Sequence, residues 1–157
     1  MSNLTHENQD VRNKFINFKG VYGKNMDAII IPDWKQRRII IAEDEESNFL
    51  LIKAILKKTG IQIHRALNGK EVLELLEQVD EVDLVLMDIK MPVMDGLEST
   101  RRIRAMWDIP VIAQTAYATE IEEFEFRKAG FDDYLTKPLK APRLLSTMQR
   151  YLQTVEP

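Results

Sequence analysis

Four places in this 157-residue chain carry groups that together suit phosphoryl chemistry: Glu43-Asp44, Asp88, Thr115 and Lys137. Asp88 closes the apolar run Leu84-Val85-Leu86-Met87 and opens Ile89-Lys90-Met91-Pro92-Val93-Met94-Asp95-Gly96. A carboxylate at the end of a buried-looking strand is costly to desolvate unless it is paired or used. The three carboxylates Glu43, Asp44 and Asp88 cannot gather as anions without a counter-charge. With oxygen ligands only, the natural ion is a hard one, Mg²⁺, with Mn²⁺ as substitute. Lys137 adds a cation and Thr115 a hydroxyl, so charge on a phosphoryl group is neutralised from two sides. Asp88 is then the candidate nucleophile, forming an acyl phosphate. Each part has an ordinary explanation by itself: a turn-forming Asp, acidic charges at a helix start, a strand-end Thr, a solvated Lys-Pro turn.

What removes the ordinary explanations is the set of elements that must hold these residues. From about Arg37 short apolar runs alternate with helix-like segments. The runs are Ile39-Ile40-Ile41, Ile61-Gln62-Ile63, Leu84 to Met87, Val111-Ile112-Ala113 and Tyr134-Leu135. Several are continuous, as in central strands of a parallel sheet covered on both faces. Between them, Phe49 to Thr59 ends in Lys57-Lys58-Thr59-Gly60, a basic last turn followed by glycine. Asn68 to Glu71, Asp95 to Glu98 and Thr119 to Glu122 have the spacing of capping boxes. Pro142 suits the first turn of a last helix running through Tyr151 and Leu152. Five strand–helix alternations imply right-handed crossovers and a doubly wound α/β sheet. In such sheets ligands bind beyond the carboxyl ends of the strands. Glu43-Asp44 follow the first strand, Asp88 ends the third, Thr115 ends the fourth and Lys137 follows the fifth, so all four project onto one edge.

Composition sets the outer limits. Hydrophobic residues are 45% and charged residues 30%, enough for a buried core. The formal net charge of −3 and the lack of a basic stripe give no drive toward nucleic acid. There is no cysteine, which excludes disulfides, thiol catalysis and thiolate metal sites. His6 and His64 are too far apart in sequence to suggest a zinc site. No apolar stretch reaches the roughly 18 to 20 residues of a membrane span, and no signal pattern opens the chain. The expectation is a cytoplasmic protein with no membrane contact. Residues 1–36 read as an N-terminal extension or linker, with Phe15, Phe18, Ile29-Ile30-Ile31 and Trp34 too apolar for a simple tail.

With these residues in view, the chain resembles a response-regulator receiver domain of two-component signalling. The resemblance rests on Ile39 to Asp44, Leu84 to Gly96, Thr115-Ala116 and Ala129 to Pro138, and it covers about Arg37 to Leu152. It implies a receiver domain over 37–155 with a five-stranded parallel, flavodoxin-like sheet of order 2-1-3-4-5. It implies a histidine kinase or phosphotransfer protein as donor to Asp88, and Mg²⁺ held by Glu43, Asp44, Asp88 and the backbone carbonyl of Lys90. Lys137 would contact the phosphoryl group, with the Lys137-Pro138 bond cis. Thr115 and Tyr134 would form the switch, read out on helix 4, strand 5 and helix 5, a face that also allows a homodimer. Lys90 and Tyr117, each two residues beyond a site residue, would overhang the phosphoryl group and tune its lifetime. On helix 4, Phe126 is expected to be buried and Phe124, beside Ile121, exposed. A domain of this kind catalyses its own phosphorylation and dephosphorylation and turns over no external substrate. The run Asp132-Asp133-Tyr134-Leu135-Thr136-Lys137-Pro138 looks most like receivers attached to hybrid histidine kinases; a stand-alone receiver is the other form expected. Two competing readings are a degenerate receiver acting only as an interaction scaffold and an aspartyl-phosphate phosphatase. The phosphatase reading is disfavoured because Lys90 stands where that class generally has a second Asp.

Overall fold

The computed structural model describes residues 31–153. Five parallel strands alternate with five helices: β1 (Arg38–Ala42), α1 (Glu46–Leu56), β2 (Gln62–Ala66), α2 (Gly69–Gln78), β3 (Leu84–Asp88), α3 (Gly96–Met106), β4 (Val111–Thr115), α4 (Glu120–Ala129), β5 (Asp133–Thr136) and α5 (Ala141–Leu152). The sheet order is β2-β1-β3-β4-β5, the expected doubly wound order. β2 begins one residue later than the apolar run suggests, and Ile61 packs in the core just ahead of it. A single 3-10 turn, Lys57–Thr59, follows α1 before Gly60, whose φ of 74° ends the helix in the left-handed region.

β3 and β4 are buried along their whole length, which explains their unbroken apolar runs. Alternation of side chains divides the core into two layers. Ile39, Ile41, Leu84, Leu86, Ile112 and Leu135 face α1 and α5. Ile40, Val85, Met87, Val111 and Ala113 face α2, α3 and α4. Trp34, ahead of β1, is buried in the first layer, and its backbone N–H donates to the carbonyl of Thr59 at 2.8 Å. The last residues of the apolar upstream segment therefore pack on the domain. Ile29 and Ile30 lie outside the described residues.

The three cap signals resolve differently. Thr119 and Glu122 form a reciprocal capping box at the start of α4. Asn68 and Asp95 each accept from the backbone N–H three residues on. Their partners turn elsewhere: Glu71 accepts from the N–H of Leu67, and Glu98 pairs with Arg101 and Arg102. Capping geometry, worth about 1 kcal/mol each, is kept in all three. Gly96 has a steric reason to be glycine: a Cβ there would lie 2.2 Å from the carbonyl oxygen of Asp88. The start of α3 thus closes directly over the end of β3, with the Gly96 N–H donating to Ile89 at 2.9 Å.

Candidate functional site

The carboxyl ends of β1, β3, β4 and β5 meet in a cleft of roughly 640 Å³ lined by Asp44, Asp88, Lys90, Thr115, Tyr117 and Lys137, among others. One carboxylate oxygen from each of Glu43, Asp44 and Asp88 lies within 4.8 Å of the others. Glu43 is fully buried, Asp88 is 6% exposed and Asp44 opens to solvent. Lys137 lies between two of the acids, its Nζ 3.1 Å from Glu43 Oε2 and 3.1 Å from Asp88 Oδ1. The Lys137-Pro138 bond that follows β5 is cis.

Burial pushes the Glu43 carboxyl above its ordinary range, and the nearby Asp88 charge adds to the shift. Burial also raises Asp88, while Lys137 pulls it back down. For Lys137 itself burial works to lower the value, and the charges of Asp88 and Glu43 overcome it, leaving a net rise. Lys137 is thus a fixed cation, and the acids are held at high proton affinity. A pair of carboxylates in this state favours any added positive charge. Three oxygen donors converging without nitrogen or sulfur ligands fit a hard divalent ion such as Mg²⁺.

Two neighbours hold the acidic loop in place. Glu43 Oε1 accepts from the backbone N–H of Glu45 at 3.1 Å, so both of its oxygens are engaged. Arg65 of β2 donates from Nε to the carbonyl of Glu43 at 3.2 Å, pairs with Glu46 and lies 4.3 Å over the Phe49 ring. Arg65 was not visible as a site residue in the sequence, because its partner is a backbone carbonyl.

The other side of the cleft is arranged differently. Thr115 is buried, and its hydroxyl donates to the carbonyl of Tyr117 at 2.7 Å rather than into the cleft. The Tyr117 N–H donates back to Thr115 Oγ1 at 3.2 Å. The Tyr134 hydroxyl donates to Glu123 Oε1 of α4 at 2.5 Å, and its ring lies 6.2 Å from that of Phe126. The bond to Glu123 holds the Tyr134 phenol above its ordinary pKa. Lys90 and Tyr117 sit exposed at the rim. On α4, Phe126 is buried while Ile121 and Phe124 are exposed, as their spacing predicts. Gln114, the residue before Thr115, is a buried polar group that sequence reading passed over.

A flavodoxin-like sheet of order 2-1-3-4-5 with acids at the ends of β1 and β3, a hydroxyl at β4 and a lysine after β5 defines a receiver domain. The family model of the response regulator receiver domain matches residues 39–149, and the chain belongs to that family, a signalling domain of two-component phosphorelays rather than a substrate-turnover enzyme. It is 36% identical over 119 residues to the polar-differentiation response regulator DivK of Brucella anthropi, covering 74% of this chain and 96% of DivK. It is 32% identical over 139 residues to probable histidine kinase 4 of Oryza sativa, covering 74% of this chain but spanning only 14% of that kinase. Among solved structures it resembles the receiver domain of sensor histidine kinase PA1611 from Pseudomonas aeruginosa, described with magnesium coordinated in its active-site cleft. That match has 34% identity and a TM-score of 0.67, and covers 73% of this chain and 96% of that one. Among the described residues, no helix is long and apolar enough to cross a membrane.

Proposed function

We propose that this receiver domain takes a phosphoryl group from a histidine kinase or phosphotransfer protein onto Asp88, and that the phosphorylated domain signals through α4, β5 and α5. In the transfer the N–P bond of the donor phosphohistidine breaks and a P–O bond to the Asp88 carboxylate forms. The observation that carries this reading is the grouping of three carboxylates within 4.8 Å, two of them held 3.1 Å from one lysine. Glu43, Asp44, Asp88 and the carbonyl of Lys90 would hold Mg²⁺, with Mn²⁺ able to replace it. When bound, the metal supplies positive charge that offsets the incoming phosphoryl oxygens. Lys137 is already charged and positioned to take a phosphoryl oxygen in place of its bond to Asp88.

Thr115 and Tyr134 are the switch. The Thr115 hydroxyl would leave the Tyr117 carbonyl for the phosphoryl group, and Tyr134 would leave Glu123 and turn inward beside it. This is a local charge event biasing a two-state element. Lys90 and Tyr117, exposed at the rim, would shield the acyl phosphate from water. Unchanged dephosphorylation rates in Lys90→Ala and Tyr117→Ala would remove that role. Residues 37–155 are taken as the receiver unit with 1–36 as its extension, and the expected setting is the cytoplasm. Similarity to nearly all of DivK and to a small part of a large kinase fits both a single-domain regulator and a receiver attached to a hybrid kinase.

The test is incubation with acetyl phosphate and Mg²⁺ followed by intact-mass measurement of wild type and Asp88→Asn. One phosphoryl group on the wild type alone is expected. No uptake by folded, Mg²⁺-binding wild type would favour the alternative, a degenerate receiver serving as a scaffold.

A further inference from the structure

Strand alternation places a fourth polar side chain on the same sheet face as the acids and the lysine. Ile39 and Ile41, Leu84 and Leu86, Ile112, and Leu135 all face α1 and α5. Two residues further along come Asp88 and Gln114 within β3 and β4, and Glu43 and Lys137 just past the ends of β1 and β5. Gln114 is directly beside Asp88 in the β3–β4 register and beside Leu135 in the β4–β5 register. It also lines the cleft shared by Asp88, Thr115 and Lys137.

Its state is unlike that of its neighbours. Gln114 is fully buried, and neither its Oε1 nor its Nε2 has a hydrogen-bond partner. A buried, unpaired carboxamide carries a desolvation cost that an apolar residue of similar shape would avoid. The other β4 side chain in this layer, Ile112, is apolar. The nearest polar acceptor in register is Asp88, whose Oδ1 is already occupied by Lys137 at 3.1 Å.

We propose that Gln114 is the hydrogen-bond donor that stabilises the Asp88 carboxylate as it leaves phosphorus. The inference rests on the reading of Asp88 as phosphoacceptor and deepens it. In the phosphorylated domain Lys137 is drawn toward the phosphoryl oxygens, which leaves Asp88 open to another donor, and Gln114 lies beside it in the β3–β4 register. During hydrolysis the oxygen of water forms a bond to phosphorus and the P–O bond to Asp88 breaks. The electron pair returns to the Asp88 carboxylate, and both protons of the water leave with dihydrogen phosphate. Negative charge therefore grows on Asp88, and a donor beside it is worth more in the transition state than in the acyl phosphate, whose charge lies on the phosphoryl oxygens. Gln114 shortens the life of the signal from inside the cleft, without contacting the attacking water.

The test compares wild type and Gln114→Leu after labelling with acetyl phosphate and Mg²⁺, following loss of the phosphoryl group by intact mass. The variant is expected to be as stable as wild type or more so, and to hold its phosphoryl group about three- to tenfold longer. A lifetime within about twofold of wild type would overturn the proposal. A second measurement needs no variant to fold: the side-chain amide signals of Gln114 in ¹⁵N-labelled wild type, with Mg²⁺, before and after adding beryllofluoride as phosphoryl mimic. They should shift and become protected from exchange, and unchanged signals would overturn the proposal. If wild type itself accepts no phosphoryl group, the Asp88 reading falls and takes this one with it. If labelling succeeds and only the Gln114 measurements fail, the Asp88 reading stands.

Discussion

The two sides of the cleft are built on opposite principles. On the β1–β3 side Glu43 and Asp88 are both already bonded to Lys137, which reaches in from the end of β5, and Arg65 and the Glu45 backbone brace the loop after β1. On the β4–α4–β5 side the polar groups are bonded away from the cleft: Thr115 to the Tyr117 carbonyl and Tyr134 to Glu123. A phosphoryl group arriving at Asp88 would meet a prepared cation on one side and replaceable hydrogen bonds on the other. The difference teaches where stability and response reside. The charged groups are mutually satisfied, whereas the Thr115 and Tyr134 hydroxyls each donate one hydrogen bond, worth about 1 kcal/mol net.

The largest expected effect comes from breaking the prepared side. Lys137→Ala leaves Glu43 buried beside Asp88 with no cation, and loss of one partner from a buried pair costs about 3 kcal/mol. Urea unfolding without divalent ions should show that loss, and added Mg²⁺ should restore part of it. A change below about 0.5 kcal/mol would mean that the three groups are not coupled as their distances imply.

Mg²⁺ should act next most strongly, with a defined pH dependence. Glu43 and Asp88 have folded-state values raised above the ordinary carboxylate range, chiefly by burial. Below the ordinary range both are protonated in folded and unfolded chains, and they cost the fold nothing. As pH rises, the unfolded chain ionises first, so the cost develops through that window and is complete above the raised folded values. Metal-free protein should therefore be less stable near neutral pH than in acid through these groups. Mg²⁺ at about 100-fold its dissociation constant should return about 2.7 kcal/mol at the higher pH. The gain in melting temperature should shrink toward the lower pH, where protons compete for the same oxygens. An equal gain at both values would place the ion elsewhere.

Smaller effects belong to the responsive side. Tyr134→Phe removes the 2.5 Å bond to Glu123 and should leave phosphoryl uptake unchanged. Hydrogen exchange of the α4 amides should rise about threefold, equivalent to part of one hydrogen bond. Unaltered exchange would show that this bond does not hold α4. Smallest of all, Phe124→Ala on the exposed face of α4 should change stability by less than about 0.5 kcal/mol. Its effect should fall on association: sedimentation of the beryllofluoride-treated protein tests whether the exposed Ile121–Phe124 pair joins two copies.

The same contrast explains what was legible in the sequence. The strands were legible because β3 and β4 are buried on both faces and so are written as continuous apolar runs. The acids and the lysine were legible because each terminates such a run, and the ends of parallel strands share an edge. Phe126 and Phe124 could be sorted because two positions along a helix differ by about 200°. Arg65 escaped notice because it grips a backbone carbonyl, which no side-chain pattern reports. Gln114 escaped notice because a polar residue at a strand end reads as ordinary until its burial and missing partners are known. The outward bonds of Thr115 and Tyr134 are rotamer choices, decided by Tyr117 and Glu123 in space rather than by spacing along the chain. Trp34 looked like part of a linker because its partner, Thr59, is distant in sequence.

The central claim is that Asp88 is the residue that becomes phosphorylated, and chemical trapping tests it most directly. The acetyl phosphate-labelled protein is reduced with borohydride, which converts a β-aspartyl phosphate to homoserine, and then digested and mapped by peptide mass spectrometry. Homoserine at position 88, and at none of the other aspartates, is the predicted result. Homoserine at Asp44 or another aspartate, or labelled protein whose peptide spanning position 88 is unmodified, would contradict the account.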